Sequence, residues 1–226
     1  MAGIECRLYR LRRKSVTIEI REGKVIVKAP LTAPLVGIDL FIVQKRKWIT
    51  DKIEAYFLKY RQFSEILSYR TFLLGGTQYG MEVSDRIKKI QFSDDRFLAP
   101  LALLDGTQDK FCAAVRKWYR RHATEYLFER LNFLANAFGL SFSGVGLTDA
   151  RSKWGSCTAK GFIRLNWRLV LLSRYVCDYV LIHELCHTKY HNHSADFWNM
   201  VGKMFPGFKS ARKSLKECSI LIGTYR

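Results

Sequence analysis

The apolar residues of this chain change their period several times, and each change marks an element. In SVTIEIREGKVIVKA, residues 15–29, Val16, Ile18 and Ile20 alternate with polar neighbours; Val25 and Val27 resume the alternation after Glu22 and Gly23. A period of two on either side of a glycine predicts a β-hairpin. Pro30 and Pro34 punctuate the loop that follows. From Gly37 to Gln62 the spacing turns helical, through Leu40, Ile42, Val43, Trp48, Ile49, Ile53, Phe57 and Tyr60 with charges between them. That predicts one long amphipathic helix. FLLGGTQYGMEV reads as two strands around Gly75 and Gly76, and IKKIQFSDDRFLAP as a further hairpin turning at Asp94 and Asp95.

The second half is patterned differently. Asp109 to Phe138 has neither glycine nor proline, and Val115, Trp118, Tyr119, Ala123, Leu127, Leu131 and Leu134 recur with helical period. Gly139 is placed to close that helix in the left-handed conformation. A strand is expected at Ser143–Leu147, and RSKWGSCTAKGFIRLNWRL reads as a hairpin with Gly161 near its turn. A helix follows from Leu171 to Lys189. Another, Ala195 to Met204, is N-capped by Ser194 with Asp196 in its first turn. Pro206 and Gly207 break it, and a basic helix runs to Ile220. The expectation is an α+β chain in two parts. Residues 1–105 form a β-rich region with one long helix, residues 106–226 a second domain, and the boundary lies in the segment 100–108.

Composition adds three constraints. The chain has 226 residues, 48% hydrophobic and 14% aromatic, enough to build a core. No run of about 18 apolar residues occurs, so no membrane span is expected. The first residues turn basic where a signal peptide needs an apolar stretch, which points to the cytoplasm. The six cysteines are scattered and form no CxxC pair, so reduced thiols are expected rather than a disulfide framework or a zinc ribbon. Lys and Arg number 38 against 20 Asp and Glu, a formal charge of +18. The excess is spread over residues 7–14, 44–47, 116–121 and 209–216, a field that attracts an anionic partner such as nucleic acid, phosphate or acidic peptide.

Candidate chemistry is concentrated in VLIHELCHTKYHNHSADFW, residues 180–198, which holds four of the five histidines. His183 and His187, four apart on a helix, project from one face and can close on a small cation. Glu184 beside them could take a proton from water held by that cation, the HExxH arrangement. A catalytic zinc asks for three protein ligands and an open position. His191 continues the i, i+4, i+8 series, but eight residues of helix climb about 12 Å, too far to share an ion with His183. The chain must turn back, and Asn192 tolerates the left-handed turn that would do it. His193 is therefore the expected third ligand. The spacing H-E-x-x-H-x-x-Y-x-x-H is that of the metzincins, except that Tyr190 stands where they have glycine and no Met-turn follows.

RSKWGSCTAKGFIRLNWRLV and YVLIHELCHTKYHNHSADFW together resemble the YgjP-like zinc metallopeptidase family, whose pattern runs W-G-S-C, L-N-W-R-L, H-E-L-x-H, N-H-S-x-x-F-W. The upstream hairpin, long helix and LLGGTQY segment fit that family's N-terminal half. The resemblance implies a zincin-like domain with the HExxH helix beside a small sheet and a strand near WGSC next to that helix. It also implies zinc on His183, His187 and His193, with Glu184 as acid/base. It points to a peptide or protein substrate, although some members have been described as nucleoside triphosphate hydrolases acting on UTP. Arg151, Lys153 and Arg164 lie on the segment so placed and are candidates for stabilising an anionic transition state. Asp178 and Asn166 could orient a ligand imidazole, or serve in caps and turns. Cys157, Cys186 and His122 read as packing residues, and Trp154, Trp167 and Trp198 as packing for the histidine-bearing helices. Three activities are consistent with the residues: a zinc peptidase, a nucleotide hydrolase in the same pocket, and a nucleic-acid- or ribosome-associated protein with a structural zinc.

Overall fold

The hairpin expected at residues 15–29 forms, as strand β2 (Thr17–Arg21) antiparallel to β3 (Lys24–Pro30), with Gly23 at φ 72° in the turn. The computed structural model describes residues 5–21, 23–66, 71–104 and 108–223. They fall into two compact units, Met1–Glu65 and Ile66–Arg226. In the first unit a strand that the pattern did not predict, β1 (Cys6–Leu11), pairs parallel with β3. Its basic residues hide an alternation in which Cys6 and Leu8 pack on the core. Arg10 is accommodated because its guanidinium donates to the carbonyls of Pro30, Leu31 and Ala33 at 3.2, 3.1 and 2.7 Å.

The long helix is two helices, α1 (Leu35–Gln44) and α2 (Arg46–Ile66). The chain breaks at Lys45, where ψ is 4° and the amide is shared between the carbonyls of Phe41 and Ile42. Ile38, Ile42 and Ile49 stay buried with Val25, Val27 and Ala29 of β3. Leu40, Val43, Trp48 and Phe57 of the expected stripe are exposed. The side chain of Tyr60 lies outside the described residues.

The second unit opens with a four-stranded sheet ordered β4 (Thr71–Leu74), β5 (Thr77–Ser84), β7 (Arg96–Pro100), β6 (Gln91–Ser93). Asp94 and Asp95 both have positive φ, 50° and 56°, which makes the two-residue turn between β6 and β7 one that suits the twist of the strands. Helix α3 (Gln108–Ala137) ends as expected at Gly139, φ 62°. The amide of Gly139 returns to the Asn136 carbonyl and that of Leu140 to Ala135, satisfying the last carbonyls. The division between the units lies at residues 65 and 66, and the 100–108 segment falls inside the second unit. The rings of Phe72 and Phe97 in the sheet pack on Trp118 and Tyr119 of α3, so these strands and this helix share one core.

A second sheet has the order β8 (Gly144–Thr148), β10 (Phe162–Asn166), β9 (Gly155–Cys157), with β8 parallel and β9 antiparallel to β10. A 3-10 helix, Trp167–Leu171, leads into α4 (Arg174–Cys186), followed by α5 (Ala195–Met204) and α6 (Phe208–Glu217). The tip of the β4–β5 hairpin docks on the 3-10 segment through Gly75 and Gly76, whose amides donate to the carbonyls of Val170 and Leu171 at 2.8 and 3.0 Å. A side chain on Gly76 would meet Ser173 at 3.0 Å. The architecture is α+β and zincin-like, with the HExxH helix α4 packed beside β9 and β10. Among the described residues, no helix is long and apolar enough to cross a membrane.

Candidate metal centre

Helix α4 is buried along most of its length, from Val176 to Ile182, and delivers His183 and Glu184 in its last turn. It stops three residues earlier than its hydrophobic pattern implies. His187 is the C-cap, and the amides of Lys189 and Tyr190 both return to the Cys186 carbonyl at 3.1 and 3.0 Å. The reversal does not use a left-handed Asn192, because Asp94 and Asp95 are the only described non-glycine residues at positive φ. Instead the Asn192 side-chain oxygen accepts the Ser194 amide at 3.2 Å, and Ser194 Oγ accepts the Phe197 amide at 3.4 Å to cap α5. A turn made by side chains replaces one made by backbone conformation.

That turn returns His193 to the helix end. His193 Nε2 lies 3.1 Å from His183 Nε2, and His187 Nε2 lies 3.2 Å from the same atom. Tetrahedral zinc–imidazole bonds would place ligand nitrogens about 3.3–3.4 Å apart. Among the described residues these three form the one group of histidine, cysteine or acidic side chains that could hold a metal ion. His191 is exposed and outside it.

The protonation states suit a cation as well. His187 Nδ1 is 2.9 Å from the Tyr190 carbonyl, so the ring proton sits there and leaves the Nε2 lone pair facing the other rings. Burial, reinforced by His187, His193 and Arg212, pushes the His183 pKa down to about 3, which keeps that ring neutral and able to ligate. The rings are also held sterically. Phe197, fully buried, stacks on His187 with centroids 4.5 Å apart, and Trp198 stacks on His193 at 5.5 Å. Arg212 of α6 lies 4.9 Å from the Trp198 ring centroid. Neither Phe197 nor Arg212 was singled out from sequence, although the N-H-S-x-x-F-W pattern contained the first.

Glu184 is 5% exposed, and its Oε2 has no hydrogen-bond partner. Burial raises its pKa to about 8, against the lowering effect of Lys153. The strand β9 passes so close that a methyl on Gly155 would stand 2.6 Å from Glu184 Cγ and Oε1. Gly155 is therefore a site residue that the WGSC motif contained but spacing could not reveal. Residues 165–168 hold the loop before it. Asn166 Nδ2 donates to the carbonyls of Ala150 and Lys153, its amide to the Trp154 carbonyl, and Trp167 Nε1 to Asp149 at 3.1 Å. Arg168, 3% exposed, forms an ion pair with Asp149.

The other candidates divide. Lys153 is exposed, and its charge reaches Glu184. Arg151 is exposed on the same loop. Arg164 pairs with Ser156, so it points to the sheet face opposite Gly155 and Glu184, over the Phe162 ring at 5.3 Å. Asp178 does not orient an imidazole; it receives a two-point ion pair from Arg130 of α3 at 2.8 and 2.7 Å. Asn166 serves the loop and the start of the 3-10 helix, whose Arg168 amide it accepts. Cys186 is fully buried beside Met204, with its thiol pKa raised to about 12 by burial, and burial also raises that of Cys157. His122 stacks between Trp118 and Tyr126.

The opposed shifts of Glu184 and His183 predict the pH response of the metal-free protein. Glu184 rises from 4.5 to about 8, so its contribution to stability is present below 4.5 and is lost as pH climbs to 8. His183 falls from 6.5 to about 3, so its contribution is present above 6.5 and is lost as pH drops. The slopes oppose each other between 4.5 and 6.5, and only that of Glu184 remains above. Urea unfolding in EDTA should show stability falling as pH rises from 6.5 to 8, by about 1 kcal/mol per pH unit and tapering towards pH 8. Glu184→Gln should flatten this limb; the same slope in the variant would show that the carboxyl is not its source.

The sequence profile described as "YgjP-like, metallopeptidase domain" matches residues 14–218. No curated protein matches the chain. Among solved structures, the crystal structure of the metallopeptidase zymogen of Pyrococcus abyssi abylysin is 28% identical, with a TM-score of 0.36, covering 38% of this chain and 89% of that one.

Proposed function

The chain belongs to the YgjP-like family of metallopeptidase domains, and we propose that it is a zinc-dependent peptidase whose ion is held by His183, His187 and His193 and whose proton carrier is Glu184. The observation that carries this reading is the approach of two imidazole Nε2 atoms to within 3.2 Å of the His183 Nε2, beside a buried carboxyl. A zinc ion held by these three imidazoles would supply Lewis acidity and would lower the pKa of a water at that site toward about 7. The chain's own residues do the rest. Tyr190 fixes the tautomer of His187 through its carbonyl, and Phe197 and Trp198 keep the rings from turning. In its ionised form Glu184 Oε2 is a buried acceptor with no hydrogen-bond partner among the described residues, so it is placed to take the proton of the attacking water. Burial makes that proton well held, and the carboxyl returns it to the leaving amine. Lys153, already felt by Glu184, is the candidate that stabilises developing negative charge.

A structural zinc would need a fourth protein ligand. The described residues bring three, and the Cys186 thiol lies against the Met204 sulfur at 3.8 Å. The reading is tested by incubating the zinc-loaded protein with unfolded casein and with UTP in parallel. New amino termini should appear from casein, stop with a chelator and return with zinc. Phosphate release from UTP with intact casein would replace this reading with a nucleotide hydrolase.

The position of Gly155 yields a further expectation. Gly155→Ala should keep the metal and lower kcat by about 100-fold, because its methyl must displace the Glu184 carboxyl by an ångström or so. Unchanged turnover in a variant that binds metal normally would show that the carboxyl position is not critical.

A further inference from the structure

Away from the histidines, the second unit has a recess of about 200 Å³ between α3, the segment leading into β6 and the turn after β7. Its floor is apolar: Ile90 and Trp118 are buried, Leu103 forms a wall, and Ala114 is the small residue on α3 that leaves the space open. Its described rim is basic: Lys88, Lys89, Lys117 and Arg121 are all exposed, and none of the described residues that line the recess is a carboxylate. Lys117 and Arg121 are four apart on α3, a like-charge spacing that is unfavourable in an isolated helix. Four cations around an apolar hole are unfavourable alone and complementary to an anion that carries an apolar group.

We propose that this recess docks an acidic, apolar segment of the peptide substrate, with a leucine- or phenylalanine-sized side chain in the hole and flanking carboxylates on the four cations. As a substrate-docking site it rests on the peptidase reading; as a binding site it stands on its own residues. Nucleic acid is disfavoured because Trp118 is buried and is not exposed as a platform on which a base could stack. His122 lies parallel to the Trp118 ring with centroids 5.2 Å apart, and Phe97 presents at 4.8 Å and 74°. A bilayer is disfavoured because the apolar surface is sunk below its charges, whereas membrane-binding faces stand proud of theirs.

The test uses the full-length, metal-free protein, which cannot cleave the probe. The probe is a fluorescein-labelled peptide with a leucine–phenylalanine pair flanked on both sides by glutamates, and binding is read by anisotropy. Lys88→Glu with Lys89→Glu, and separately Lys117→Glu with Arg121→Glu, should each weaken binding by at least about tenfold. All four side chains are exposed, so both variants should keep the wild-type melting temperature. Glutamine for glutamate, or serine for the apolar pair, should weaken the peptide comparably. No binding by the wild type, or equal binding by both variants, overturns the proposal. Tighter binding of oligothymidylate or of phosphatidylserine vesicles, lost in the same variants, assigns the recess to that ligand and equally overturns it. Zinc-loaded variants should cleave a short neutral peptide at the wild-type rate. Docking without any cleavage would therefore count against the peptidase reading and leave the recess standing.

Discussion

Glu184→Ala should keep its metal and lose peptide turnover by about 10²–10⁴-fold, the range expected for removal of a positioned acid/base. The carboxyl is outside the group of three imidazoles, so its loss removes no ligand. Its Oε2 has no hydrogen-bond partner, so truncation strands no buried donor. The residue is nonetheless buried, wedged between its own helix and Gly155, and among the described residues no other carboxylate joins the histidine group. Glu184→Gln, which preserves the shape and removes the basicity, should fall as far as the alanine variant. If glutamine restored turnover, the role would be steric, and a variant with more than about a tenth of wild-type turnover would reject proton transfer by this group.

The second large effect is on metal affinity. His193→Ala should weaken zinc binding by more than about 100-fold, beyond what is lost when only an outer hydrogen-bond partner is removed. This ligand gives the cleanest experiment because it lies exposed on the turn between α4 and α5, while Ser194 still caps the helix. His183, packed against Tyr179, Phe197 and Trp198, would confound affinity with folding. His191→Ala, two residues away, should bind zinc as the wild type does. Calorimetric zinc titration of the two variants compares them directly, and equal affinities would remove His193 from the site.

Much of this arrangement is legible in the residues. The helical spacing of His183 and His187 and the 12 Å argument against His191 need only helix geometry. Gly139 and the paired positive-φ aspartates likewise announce their turns. What escapes is whatever depends on partners distant in sequence. The helix break at Lys45 leaves the apolar period intact, so the pattern cannot register it. β1 is masked by its arginines, of which Arg10 donates to the carbonyls of Pro30, Leu31 and Ala33. The turn at Asn192 is made by a side-chain acceptor, which the same residue type disguises as a left-handed backbone. Gly155 matters only because Glu184 passes over it, and the arginine paired with Asp178 is 48 residues away in α3.

The central claim is that three imidazoles, and no thiol, gather one ion beside Glu184. X-ray absorption at the zinc edge of the purified, zinc-loaded protein tests it most directly. The account predicts one ion per chain, three imidazole nitrogens and a further light-atom ligand, with one imidazole lost in His193→Ala. A sulfur scatterer in the first shell, or a spectrum that His193→Ala leaves unchanged, would contradict it.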